Sequence, residues 1–212
     1  MPDFSITPAP YDPGTPDYFP ETLAMQGPVD GKWYTQYGAL RQAVPSAVGY
    51  QKGGVTRVRF SDPCEITEIG LYLNAAHGGQ AHSYRLGIYA HEAGEPGAVE
   101  VDAGTLTIDN QSTVGMKSIV LPTPYEVSAG QVVWLVCRCD YSSGYPALFQ
   151  HNSADLMPYT NYGKNANGTY LVNALAFTSI GNGANALPDP FALGSPNEVH
   201  GLTPAVFVKV SV

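Results

Sequence analysis

From Val55 onward, apolar and polar positions alternate in short runs. In VTRVRF (55–60), Thr56, Val58 and Phe60 fall on one face and Arg57 and Arg59 on the other. ITEIGLYL (66–73) groups Thr67, Ile69, Leu71 and Leu73 in the same way. SYRLGIYA (83–90) sets Tyr84, Leu86, Ile88 and Ala90 against Ser83, Arg85, Gly87 and Tyr89. A period of two marks a strand with one buried face. GTLTI (104–108) and MKSIVL (116–121) continue the series, with weaker signals at YPALFQ (145–150) and TYLVNALAF (169–177). QVVWLVC (131–137) is apolar on both faces and predicts a central strand. VFVKVSV (206–212) predicts a closing strand that pairs with an earlier one.

No segment of ten or more residues carries a helical period, and no repeat recurs at a fixed interval. Eight or nine short strands joined by Gly-rich turns predict an all-β protein, an antiparallel β-sandwich of jelly-roll type. Pro96 and Gly97 predict a turn, since proline sets its own φ and glycine accepts the positive φ many turns need. Charged residues make up 13% of the chain, about half the usual share, which suits shaped loops better than helices.

The alternation is missing from residues 1–30. Seven of the 18 prolines lie within the first 28 positions, so this stretch cannot bury enough apolar surface to fold alone. It nevertheless holds Phe4, Ile6, Tyr11, Tyr18 and Phe19, which a plain linker would not need. The expectation is an extended N-terminal arm with these five side chains as interface residues, followed by one sandwich domain over 31–212. Trp33 and Trp134 are its expected core anchors, and a Tyr/Asn/Gly-rich insertion spans about 140–200.

The formal net charge is −8 and the ten basic residues are scattered, which argues against a nucleic-acid groove. The longest apolar runs fall well short of the roughly 20 residues of a membrane helix. The N-terminal sequence lacks the basic and apolar regions of a signal peptide, so the expected site of synthesis is a cytosol. Cys137 and Cys139 share one face of an apparent strand, which makes a bridge between them awkward. Buried thiols are the expectation, with a bridge to Cys64 or half a metal site as alternatives.

The run SYRLGIYAHEAGEPGAVEVDAGTL (83–106) reads as a strand, an acidic Gly-Pro-Gly loop and a return strand. The order RLGIYA, acidic loop, PGA, DAGT resembles a β-sandwich module of bacteriophage tail-fibre and minor tail proteins. The likeness runs from about Val55 to Cys139 and includes ITEIGLYL and GMKSIVLPTPYEVSAGQVVWLV. It fades toward a Pro-Ala-aromatic ending at Pro204–Val208. The loop from His91 to Glu95 lacks the paired aspartates common in that module, so no metal role carries over. The resemblance implies a virion structural protein, made in the host bacterial cytoplasm, with other virion proteins as partners and no cofactor. It also implies a homo-oligomer, a trimer if the protein is a fibre.

Catalytic chemistry is hard to place on this chain. The carboxylate pairs Glu92 with Glu95, Asp102 with Asp109, and Asp140 with Asp155 all lie in predicted turns, where acids are ordinarily solvated. The five histidines (77, 82, 91, 151 and 200) are dispersed, and no hydrolase, zinc or phosphate-loop pattern appears. Binding fits better. Between Asp140 and Tyr170, Tyr141, Tyr145, Tyr159, Tyr162 and Tyr170 are interleaved with Asn, Ser, Gln and His. Flat phenols beside amides and hydroxyls suit a host-surface glycan, and equally suit a subunit interface. The expected function is a non-enzymatic tail fibre or adhesin subunit. The alternatives are a capsid decoration or head-fibre protein and a carbohydrate-binding module.

Overall fold

The alternation is realised as twelve strands in a computed structural model that describes residues 28–35, 40–42, 52–92, 95–139, 146–152, 174–178, 186–191 and 202–212. They are β1 (Trp33–Tyr34), β2 (Leu40–Gln42), β3 (Lys52–Arg59), β4 (Cys64–Leu73), β5 (His82–Glu92) and β6 (Glu95–Ile108). β7 (Gly115–Val127), β8 (Val132–Cys139), β9 (Phe149–Asn152), β10 (Ala174–Thr178), β11 (Leu202–Pro204) and β12 (Val206–Ser211) complete the set. No helix occurs among the described residues. The proposed arm, residues 1–27, lies outside them.

Two antiparallel sheets form the sandwich, in the orders β1-β12-β4-β7 and β10-β3-β8-β5-β6. Without the added strand β10, eight strands remain, four in each sheet. Their order is the double Greek key of a jelly roll. β8 is central in its sheet, as its two apolar faces predict. β12 lies between β1 and β4 and ties down the C-terminal end. A small sheet, β11-β9-β2, is built from the longer connections.

The core fills the space between the two large sheets. Ile66, Ile69, Leu71 and Leu73 of β4 and Val206, Val208 and Val210 of β12 meet Val58, Leu86, Ile88, Val133 and Leu135 from the other sheet. Burying side chains of this size contributes about 1.5–3 kcal/mol each. Thr56, Val58 and Phe60 are buried together, as the pattern in β3 predicts.

Three local expectations are corrected. In β4 the pairing with β7 jumps from Ile66↔Tyr125 to Glu68↔Val120. This bulge absorbs Thr67 and the Pro122–Pro124 stretch, so Cys64 and Ile66 face the core and Thr67 does not. The Thr67 hydroxyl donates to the Lys209 carbonyl instead (3.3 Å). Pro96 and Gly97 do not turn the chain. They lie in β6, where His91 pairs with Pro96 and Glu92 with Glu95. A proline is tolerated there because β6 is an edge strand. Trp33 is half-buried on the outer side of its sheet, and its neighbour Tyr34 is the residue that packs against the core.

The strand order also sorts the connections. Those at 60–63, 93–94 and 128–131 are short and share one end of the sandwich. Those at 35–51, 74–81, 109–114 and 140–205 start and finish at the opposite end.

Candidate functional site

The long-connection end is organised around the exit of β4. The Asn74 amide donates to the Ala147 carbonyl (2.8 Å) and the His77 amide to the Ser112 carbonyl (3.2 Å). These bonds tie the 74–81 connection to the start of the 140–205 insertion on one side and to the 109–114 turn on the other. The 109–114 turn is closed by Asp109, which accepts from the Gln111 amide (3.0 Å) and the Ser112 hydroxyl (3.1 Å). Gln80, Asn110 and Gln111 are exposed at this end. They are polar residues that the sequence reading did not single out; their signal in the sequence is the amide- and Gly-rich composition of NAAHGGQA and DNQST.

His77 and His82 are both buried beneath this end, with ring centroids 5.4 Å apart edge to face. The Asp109 carboxylate and the His77 imidazole serve the turns. His77 Nε2 donates to the Gln80 carbonyl (2.8 Å), closing the 74–81 loop on itself. Folding thus brings together two of the five dispersed histidines, and among the described residues no three metal-ligating groups converge.

The five-stranded sheet is covered on its outer side as well. Residues 186–191 form a strap across β8, β5 and β6. Arg138 Nη1 donates to the Ala186 carbonyl (2.8 Å), Tyr89 Oη to the Pro188 carbonyl (2.8 Å), and the Phe191 amide to the Gly97 carbonyl (2.9 Å). Asp189 accepts from the Val99 amide (3.1 Å), on the edge strand β6. Under the strap, Val55, Tyr89, Trp134, Val136 and Leu187 make a second apolar cluster, with Phe191 edge to face on Tyr89. β5 is therefore buried on both faces, although its alternation predicts one. Trp134 is an anchor as expected, but of this outer cluster and not of the sandwich core. Its indole Nε1 donates to His91 Nδ1 (2.9 Å).

Burial sets the protonation behaviour of this layer. It pushes the Tyr89 phenol above its usual range, against the pull of Arg138. It lowers the Arg138 guanidinium. Asp102 is opposed by burial, yet the bonds from Arg85 and from the Leu187 and Gly104 amides hold its carboxyl below the ordinary value. These groups brace the strap.

Of the carboxylate pairs considered for catalysis, Asp102 and Asp109 serve separate partners, and Glu92 and Glu95 are paired across β5 and β6. Asp102 is bound to Arg85, while Asp109 caps its own turn. Glu92 accepts from the Ala98 amide (3.1 Å), and the Glu95 side chain lies outside the described residues, as do Asp140 and Asp155. Cys64 and Cys137 are buried free thiols, and burial raises the Cys64 thiol. This corrects the alternative of a bridge between those two. Tyr141, Tyr145, Tyr159, Tyr162 and Tyr170 lie outside the described residues, as do Phe4, Ile6, Tyr11, Tyr18 and Phe19. What the fold does place is the ends of the segment that carries the tyrosines, at β8 and β10, with β9 inside it.

Compared with known proteins, the sequence matches no protein-family model, and no curated protein matches it.

Proposed function

We propose that this chain is a non-enzymatic structural protein of a bacteriophage virion, a tail-associated fibre or adhesin subunit that meets the host surface. The observation that carries the reading is the polarity of the jelly roll. Residues 1–27 join the sandwich at Pro28–Val29, next to the end of β12, where the Gly31 amide donates to the Val210 carbonyl (2.8 Å). This is the short-connection end. The four long connections leave from the other end, including the one that holds the five tyrosines. A subunit docked through its N-terminal arm would hold those connections outward.

Tyrosine faces beside amide and hydroxyl groups supply contact area at low entropic cost, which suits a host-surface glycan. Weak contacts of this kind become strong when many copies are held together. The likeness of residues 55–139 to phage tail modules supports the same assignment. Electron cryomicroscopy of purified particles tests it. Density at the tail, with the long-connection end facing outward, is the expected result. Density lying flat on the capsid lattice, with residues 1–27 between neighbouring subunits, would replace the adhesin by a reinforcing head protein.

A further inference from the structure

Trp134 and His91 share the outer face of the five-stranded sheet, beside the strap. Trp134 lies opposite Tyr89 across β8 and β5, and His91 follows Tyr89 by two positions, on the same face of β5. The indole Nε1 reaches His91 Nδ1 at 2.9 Å, and the two rings stack at 6.0 Å with 27° between their planes. The strap is coupled to both partners. Leu187 packs in one cluster with Trp134 and Tyr89, and Phe191 stands edge to face on Tyr89 at 5.0 Å. Pro96, the residue paired with His91, precedes Gly97, whose carbonyl accepts the Phe191 amide.

The bond has one working protonation state. An indole N–H donates and never accepts, whereas an imidazolium carries a hydrogen on both nitrogens and cannot accept. A proton on His91 therefore breaks the bond whichever way the ring is turned. Trp134 is 1% exposed, so water cannot take the place of the lost acceptor. A buried donor left unmatched costs more than a cation stacked on an indole at a half-buried position returns.

The charged and titratable groups packed around the pair come from four elements. Arg57 of β3 stands opposite Trp134, and Arg59 is in the row of His91 through Val132. On β5, Tyr89 donates to the Pro188 carbonyl and Glu92 accepts from the Ala98 amide. Glu95 of β6 pairs with Glu92, and Asp189 of the strap accepts from the Val99 amide. Histidine is the one side-chain type among these that ordinarily changes charge between about pH 5 and 8.

We propose that the Trp134–His91 bond is a proton-operated latch on the strap. With His91 neutral the bond holds the outer cluster closed; protonation of His91 frees the Trp134 indole, loosens the packing under Leu187 and lets residues 186–191 open. The proposal does not rest on the virion reading.

Hydrogen exchange on the full chain, read by NMR at about pH 7.5 and about pH 5, tests it. His91→Gln is the reference, because its amide oxygen can accept the indole N–H at either pH. Comparing two proteins at one pH cancels the intrinsic pH dependence of exchange. From neutral to acid, the ratio of wild-type to His91→Gln rates should rise about tenfold or more for the Trp134 indole and for the Leu187 and Phe191 amides. Trp134→Phe removes the donor and keeps an aromatic ring, so its ratio to His91→Gln at Leu187 and Phe191 should stay constant. A wild-type ratio that does not change with pH overturns the proposal, as does acid-induced opening that persists in Trp134→Phe. So does faster exchange confined to the indole, since the strap would then not feel the latch.

Discussion

Arg85 holds Asp102 with two parallel bonds, Nε to Oδ1 at 2.6 Å and Nη2 to Oδ2 at 2.7 Å, and the same carboxylate accepts the Leu187 amide at 3.2 Å. One acid on an edge strand thus connects the sheet to the strap that covers it. Bidentate charge-assisted pairs of this kind are stronger than neutral hydrogen bonds.

Asp102→Asn should therefore loosen the strap and cost about 1–3 kcal/mol in urea unfolding at neutral pH. The folded state holds Asp102 below its unfolded value of about 3.9. Its contribution is thus present above that value and is lost as pH falls through the lower folded-state value. The wild type should lose this increment on acidification through that window, while the variant should not. Identical acid slopes for the two would remove Asp102 from this role.

The Trp134–His91 bond gives a second expectation. An indole N–H can only donate, so His91 Nδ1 is the unprotonated acceptor. His91→Ala should leave a buried donor unmatched and cost about 1–3 kcal/mol. Trp134→Ala should cost about 3–5 kcal/mol through the cavity it leaves. Urea melts of both variants, with the ranking reversed, would show that the outer cluster adds little.

Thr56 provides a test of opposite sign. Its hydroxyl is buried on the core side of β3 and has no hydrogen-bond partner. Thr56→Val keeps the shape and removes the unmatched oxygen, so it should raise stability by about 1 kcal/mol. A loss of stability in calorimetry would mean that the hydroxyl is satisfied in solution.

Gly87 allows β5, β6 and the strap to meet. A β-carbon there would collide with the Val101 carbonyl and the Leu187 side chain. Gly87→Ala should cost about 1–3 kcal/mol by overpacking. Faster exchange of the Leu187 amide should accompany it, measured by hydrogen exchange; an unchanged Leu187 amide would mean that the strap does not feel this position.

The functional reading has its own variants. Alanine at Tyr141, Tyr145, Tyr159 and Tyr162 together should lower host-cell adsorption by particles while melting temperature and oligomeric state stay the same. Deleting residues 2–24 should abolish incorporation into particles and leave the β-sheet circular dichroism intact. Loss of the folded spectrum would instead make the arm part of the domain.

Much of the sandwich was legible because a period of two is dictated locally by strand geometry. Val133, Leu135 and Cys137 face one side of β8 and Trp134 and Val136 the other, and both sets are apolar, which is why its central place could be read directly. The β4 bulge could not be read in the same way. Thr67 fits the alternation as well as Ile66 does, and only pairing with β7 and β12 decides which of them points inward. The candidate site was legible as composition alone. The Tyr-rich segment stands out in the chain, but that the connection carrying it leaves β8 at the long-connection end follows from strand order.

The sequence alone determined an all-β sandwich, its central strand and its closing strand, because these depend on alternation within single segments. Tertiary structure decided the jelly-roll order, the separation of short from long connections, and the strap over Trp134 and Tyr89. It also joined Arg85 to Asp102 and brought His77 to His82. Each of these links residues far apart in the chain or on different strands, and their contact depends on which strands pair, a choice that no local pattern encodes.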